Sequence, residues 1–399
     1  MNKSVVRRLT LHAMLLQAVF WFGICAYFAF MVTTLIDHGW SQSAAAGLMT
    51  AMSVIVILIQ PVYGFLSDRY FSEKKLSVAM LALGVVFFSL MPFSLNSGNR
   101  TLVVVNMIAI TVTGAQVGSL MDAWIVGLKQ EYQSINYGMI RGIGSFAYAL
   151  SAQIMGAITV DFGHSARIWI ASAAFLAAVF IALAFRPARH ERDNQTKGKN
   201  SGQLSGMEAL KIVFSSKPYC LLLGVSFLLL LNNITMTTVI QILVRDFGGT
   251  AAQMGTTTAI MAVSEVPCMF LMAFVMKKIG HKKLLIFCSV VYTIRMFVTA
   301  AVGSINALIY VQILQGVTYA VLLPVSISYL SQIIDRRVRS TAVTTYGALT
   351  SSLTAVLGNL ITSSFLAAGR GAQGALVFFG FSALLGFFLA LYGTIRGIW

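Results

Sequence analysis

Arg189-His-Glu-Arg-Asp-Asn-Gln-Thr-Lys-Gly-Lys-Asn-Ser-Gly-Gln203 lies within the one long polar stretch, Pro187 to Lys217, of a 399-residue chain that is 58% hydrophobic and 10% charged. This composition cannot bury enough apolar surface to fold alone, so the stretch reads as a flexible linker. Six apolar runs lie on each side of it, and each has the ~20 residues a helix needs to cross a bilayer core. Before it they fall at about 11–36, 44–67, 76–96, 101–127, 140–160 and 168–186. After it they fall at 218–243, 252–277, 283–303, 305–333, 340–366 and 373–395. The pattern predicts an all-α membrane protein of twelve transmembrane helices in two six-helix, pseudo-symmetric halves. The domains are 1–186, a cytoplasmic linker at 187–217, and 218–399.

The formal net charge of +16 does not point to nucleic acid, because the basic residues are scattered through short gaps and form no patch with interleaved aromatics. They alternate by side instead. Arg7, Arg8, Arg69, Lys74, Lys75, the linker, Lys277, Lys278, Arg337 and Arg339 fall on one side, against Arg100, Arg167, Arg245 and Arg370 on the other. Cytoplasmic loops carry the Lys/Arg excess, so both termini are expected inside a bacterial-type inner membrane. The first run is too long for a signal-peptide core and reads as a retained span. Cys25, Cys220, Cys268 and Cys288 all lie in apolar runs without CxxC spacing, which suggests neither a metal site nor a disulfide framework. No metal-ligand cluster, P-loop or nucleophile triad is present, so no enzyme and no cofactor is expected. A non-transporting sensor would need a folded cytoplasmic domain, and the sequence offers none. What remains is passage of a solute, driven by an ion gradient or by none.

After the second run the chain reads Gly64-Phe-Leu-Ser-Asp68-Arg69 and then Lys74-Lys75. Gly64 would permit close helix approach, and Asp68 and Arg69 could pair with a neighbouring span as an inner gate. The spacing resembles the loop signature of the major facilitator superfamily, although the family's second glycine falls at Phe71 and its next basic residue at Ser72. A weaker copy, Lys278-Ile-Gly280-His-Lys282-Lys283, follows the eighth run, with Lys277 at the acidic position. A signature at matching places in both halves supports an internal six-span repeat.

Three further stretches sharpen the resemblance. They are Ala26-Tyr27-Phe28, Gln60-Pro61-Val-Tyr-Gly64, and Asp122-Ala123-Trp124 followed by Tyr137-Gly138, Arg141, Gly144-Ser145 and Tyr148-Ala149-Leu150. Together they resemble the oligosaccharide:proton symporters, the lactose permease group, over most of the chain. The resemblance implies proton-coupled sugar symport by alternating access in a monomer. It implies that Asp122 and Arg141 bind sugar hydroxyls, that Tyr148 stacks on the ring where the family usually has tryptophan, and that Tyr27 belongs to the same substrate site. The residue chemistry agrees. A carboxylate and a guanidinium can make several hydrogen bonds to vicinal hydroxyls. Arg141 and Tyr148 are two turns apart on one helix face. Asp122 lies in an apolar run, where an unpaired charge costs about 2.5–3.5 kcal/mol or more. A buried Asp122–Arg141 pair that only ties two helices together is the structural alternative.

The second half departs from the group. The positions of its later coupling residues carry Gln312, Gln315, Thr318 and Tyr346, and its membrane interior has no histidine. Glu265 and Arg295 remain, the arginine matching one implicated in coupling. Pro267 removes a backbone donor near Glu265 and can open the helix to water. Glu265 is the expected proton carrier, with Arg295 tuning it, because burial raises a carboxyl pKa and a nearby arginine lowers it. A static pair is the alternative, and so is an exchange of roles in which Asp122 carries the proton. Asn233 and Gln315 are candidate cavity residues, and Asn232, Gln241, Gln312 and Asn359 are weaker ones. A nucleoside:proton symporter is the nearest rival, since ribose also presents vicinal hydroxyls. An efflux antiporter for drugs or sugars fits less well, because the fifth span, GSFAYALSAQIMGAI, lacks the glycine–proline signature of the drug exporters.

Overall fold

The computed structural model describes residues 3–115, 117–132, 135, 137–185, 206–231, 233–335 and 337–399. Among the described residues every regular element is helical. The first part contains α1 (Lys3–Phe28), α2 (Met31–Asp37), α3 (Gln42–Arg69), α4 (Glu73–Asn96), α5 (Arg100–Ile110), α6 (Val117–Glu131) and α7 (Tyr137–Ala184). The second contains α8 (Gly206–Ser215), α9 (Lys217–Leu230), α10 (Thr235–Asp246), α11 (Ala251–Ile279), α12 (His281–Ala301), α13 (Ile305–Val311), α14 (Gln315–Ile333), α15 (Arg339–Gly347), α16 (Thr354–Ala367) and α17 (Gly371–Ile395).

Ten runs among these residues are long and apolar enough to cross a bilayer. The 47-residue run Gly138–Ala184 counts as two spans, because Gly163 takes φ 78° and ψ 179° and breaks α7. A side chain disfavours that region, which is why glycine occupies the bend. With α11 the spans reach the twelve expected. Starts are set by short polar caps: Ser72 accepts from the Lys75 amide, Asn99 from Thr101 and Leu102, and Ser216 from Tyr219. Many large apolar side chains stay exposed, among them Phe146, Phe180, Phe274, Phe381 and Leu385. In a chain with this many spans, large apolar side chains left exposed are what lipid covers.

The described chain forms two compact units. Unit 1 draws on the described residues within Met1–Trp40, Ala51–Gln195 and Gly249–Ala259; unit 2 draws on those within Ser41–Thr50, Thr196–Gly248 and Ile260–Trp399. Compactness and chain order therefore divide the protein differently at the first turns of α3 and α11. Within unit 2, Gln42 donates to Asp246 at 2.6 Å and Ser363 to the Ser43 carbonyl at 2.9 Å, which ties the start of α3 there.

Three expectations change. The stretch 187–217 is not linker throughout, because α8 occupies Gly206–Ser215 and buries Ala209 and Val213 in the core of unit 2. Arg167 is not a loop residue; it is fully buried in α7. It donates to the carbonyls of Ala26 and Tyr27, and at 2.6 Å to Thr34 Oγ1, satisfying acceptors freed where α1 gives way to α2. At Gly64 an added Cβ would meet nothing within 4 Å, so no close helix approach is made there among the described residues. Arg69 is exposed, 5.3 Å from the Phe65 ring, and the Asp68 side chain lies outside the described ones.

Candidate functional site

Unit 1 gathers Asp122, Arg141 and Tyr148 around Trp21. Asp122 projects from α6, Arg141 and Tyr148 from α7, and Gln17 and Trp21 from α1. The Trp21 Nε1 donates to Gln17 Oε1 at 2.6 Å, and Gln17 Nε2 donates to Asp122 Oδ1 at 2.9 Å. An indole N–H can only donate, so it fixes the amide oxygen toward Trp21 and leaves the amide nitrogen for the carboxylate. The Arg141 guanidinium lies 4.3 Å from the centre of the Trp21 ring and donates to Ser145 at 3.2 Å. Tyr148 meets Trp21 edge-on, with centroids 6.4 Å apart. Gln17 is fully buried, while Asp122, Trp21, Arg141 and Tyr148 are half-buried. This patch offers acid, guanidinium and two rings together.

Sequence reasoning does not single out Gln17 or Trp21. Their spacing of one helical turn in an otherwise apolar run is the signal that could have found them. Tyr27 is not brought to the group. It is buried, packed edge-on at 4.9 Å against both Phe28 and Phe88, and its hydroxyl has no hydrogen-bond partner among the described residues.

Unit 2 holds a second cluster. Glu265 is on α11, Arg295 on α12, and Gln312 and Gln315 bound the single 3₁₀ turn joining α13 to α14. In 3₁₀ geometry residues three apart eclipse, so the two glutamines stand side by side toward Arg295. Arg295 is fully buried and donates to the Oε1 atoms of Gln315 and of Gln312, the latter at 2.8 Å, and to Thr318 at 3.4 Å. Gln315 Nε2 then donates to Glu265 Oε1 at 2.7 Å. Guanidinium donates only, so it orients both amides and aims the Gln315 N–H at the carboxylate. Gln315 therefore joins the Glu265–Arg295 group rather than a separate cavity wall.

Close packing holds this geometry. A Cβ on Gly316 would lie 2.2 Å from the Ser264 carbonyl oxygen, one residue from Glu265. Close backbone approach at small residues is a common way for membrane helices to pack. Gly316→Ala must push α14 off α11, at a cost of about 1–3 kcal/mol. A lower thermal midpoint in detergent is the expected outcome, and an unchanged midpoint would contradict this contact. Asn233 lies elsewhere, in the turn between α9 and α10, with a buried Oδ1 that has no partner among the described residues. Asn359 on α16 accepts from Thr238 on α10 at 3.0 Å, and Gln241 donates to the Thr237 carbonyl one turn back in α10. Asn232 lies outside the described residues. No group of three or more His, Cys, Asp or Glu among the described residues could hold a metal ion.

The sequence profile of the MFS_1 like family matches residues 11–379. The chain belongs to that family. It is a membrane transporter of the major facilitator superfamily, in keeping with the resemblance read from its motifs. It is 25% identical over 341 residues to the maltose permease of Geobacillus stearothermophilus, covering 85% of this chain and 83% of that one. The uncharacterized transporter YwbF of Bacillus subtilis (strain 168) is 22% identical over 311 residues, covering 77% and 74%. In fold this transporter resembles the nucleoside transporter NupG. The TM-score is 0.79 at 13% identity, over 98% of this chain and 99% of that one.

Proposed function

We propose that this transporter is a proton-coupled symporter that takes up a sugar or oligosaccharide by alternating access. It would act as a monomer in a bacterial-type inner membrane, with both termini in the cytoplasm. The functional halves are 1–186 and 218–399, as the internal repeat suggests. The gathering of Asp122, Arg141, Trp21 and Tyr148 on one patch of unit 1 carries this reading, because a sugar presents hydroxyls at its edge and an apolar face. The similarity to a maltose permease supports the substrate class. Glu265 would carry the proton, with Gln315 donating to its carboxylate and Arg295 orienting Gln315 and tuning the acid. Gly64, Asp68 and Arg69 would belong to the inner gate.

A nucleoside is the second reading, favoured by the paired rings of Trp21 and Tyr148, which also suit a base, and by the fold shared with NupG. Uptake of radiolabelled maltose, glucose and uridine by cells expressing the chain separates the two. Saturable uptake of maltose or glucose that uridine does not compete is expected; uptake of uridine alone would overturn the sugar assignment.

A further inference from the structure

The Trp21 indole is constrained on three sides. Gln17 holds its N–H edge, Tyr148 stands edge-on to it, and α7 passes so close that a Cβ on Gly144 would lie 2.6 Å from Trp21 Cδ1. Its face is covered by the Arg141 guanidinium at 4.3 Å. The ring is nonetheless half-buried, in direct or one-residue contact with both charged groups of the patch. A ring that merely filled the core would not need its plane fixed by a hydrogen-bonded amide that itself ends on a carboxylate.

We propose that Trp21 is the residue that selects the substrate, resting on the symporter reading above. The apolar face of a pyranose ring or a base stacks on the indole in the place that Arg141 occupies in this structure. The displaced guanidinium then turns its N–H edge to the substrate hydroxyls. A cation over a partly exposed indole is held weakly, so a stacked ring can exchange with it. Because Gln17 and α7 fix the ring plane in advance, little side-chain freedom is lost on binding. Gln17 also ties the indole to Asp122, so stacking and hydroxyl recognition are set by one rigid unit. The required chemistry is a ring with one apolar face and hydroxyls at its edge; an acyclic polyol has the hydroxyls without the face.

The test is equilibrium binding of radiolabelled maltose and uridine to purified wild type, Trp21→Phe and Trp21→Leu. For whichever probe wild type binds, Trp21→Leu should weaken affinity about tenfold while Trp21→Phe stays within about threefold. Sorbitol should compete with neither probe. The emission difference between wild type and Trp21→Phe should change on saturation with the probe, a response that a purely structural tryptophan would not give. Wild-type affinity in Trp21→Leu would overturn this assignment and leave the symporter reading standing. If Trp21→Leu does not fold, an emission difference unmoved by the probe overturns it instead. Wild type binding neither maltose nor uridine would overturn both readings.

Discussion

Glu265→Gln is expected to reduce steady-state accumulation to the equilibrium level while leaving exchange of internal for external solute intact. The amide keeps an oxygen to accept from Gln315 Nε2, so the chain Arg295–Gln315–residue 265 survives and the fold with it. What disappears is the group that can gain and lose a proton. Coupling requires that protonation change the relative stability of the two access states, and a ligand bound equally by both shifts nothing. A carrier that cannot be protonated at the coupling position still exchanges solute but no longer draws on the proton gradient. Solute accumulation against its gradient in cells, set beside counterflow in vesicles, checks this. Loss of both activities would make Glu265 a substrate or packing residue instead.

The second large effect is expected at Asp122. Asp122→Asn preserves shape and an acceptor for Gln17 but removes the charge. Hydrogen bonds to a charged acceptor contribute about 1.5–3 kcal/mol, so affinity for the solute proposed above should fall on the order of tenfold to a hundredfold. Thermal stability should change little, because Asp122 is half-buried and its Gln17 partner remains satisfied. The binding assay used for Trp21 reads this directly. Unchanged affinity together with lost accumulation would move the proton to Asp122, the exchange of roles that the sequence leaves open.

Much of this architecture was legible because a bilayer imposes length and composition on whatever crosses it. The spans follow the apolar runs, and the boundary between 140–160 and 168–186 falls at the Gly163 bend. Asp122, Arg141 and Tyr148 are singled out by the resemblance to the lactose permease group, with which the cost of a charge in an apolar run and a shared helix face agree, and the structure groups them around Trp21. Trp21 was not legible, since an aromatic in an apolar run has the same signature whether it packs or binds. Gln17 lies one turn before it on α1, and only the neighbouring helices reveal the Asp122 that Gln17 donates to and the Arg141 over the ring. The Glu265–Arg295 association was readable from the rarity of charge, but the amide between them was not, because glutamines in spans usually join helices. Arg167 was misread because proximity to a helix-breaking glycine mimics a loop; the acceptors that bury it lie in α1 and α2, more than 130 residues away. The helix α8 was hidden because its short amphipathic run lies at the end of the stretch 187–217, directly after its most polar part.

Solute-induced proton movement distinguishes the proton-coupled uptake proposed above from passive entry. Energy-depleted cells expressing the chain would be given maltose in weakly buffered medium while external pH is followed. Alkalinisation on addition of maltose, absent in cells expressing Glu265→Gln, is the predicted result. A flat trace from cells that demonstrably take up maltose would contradict proton coupling.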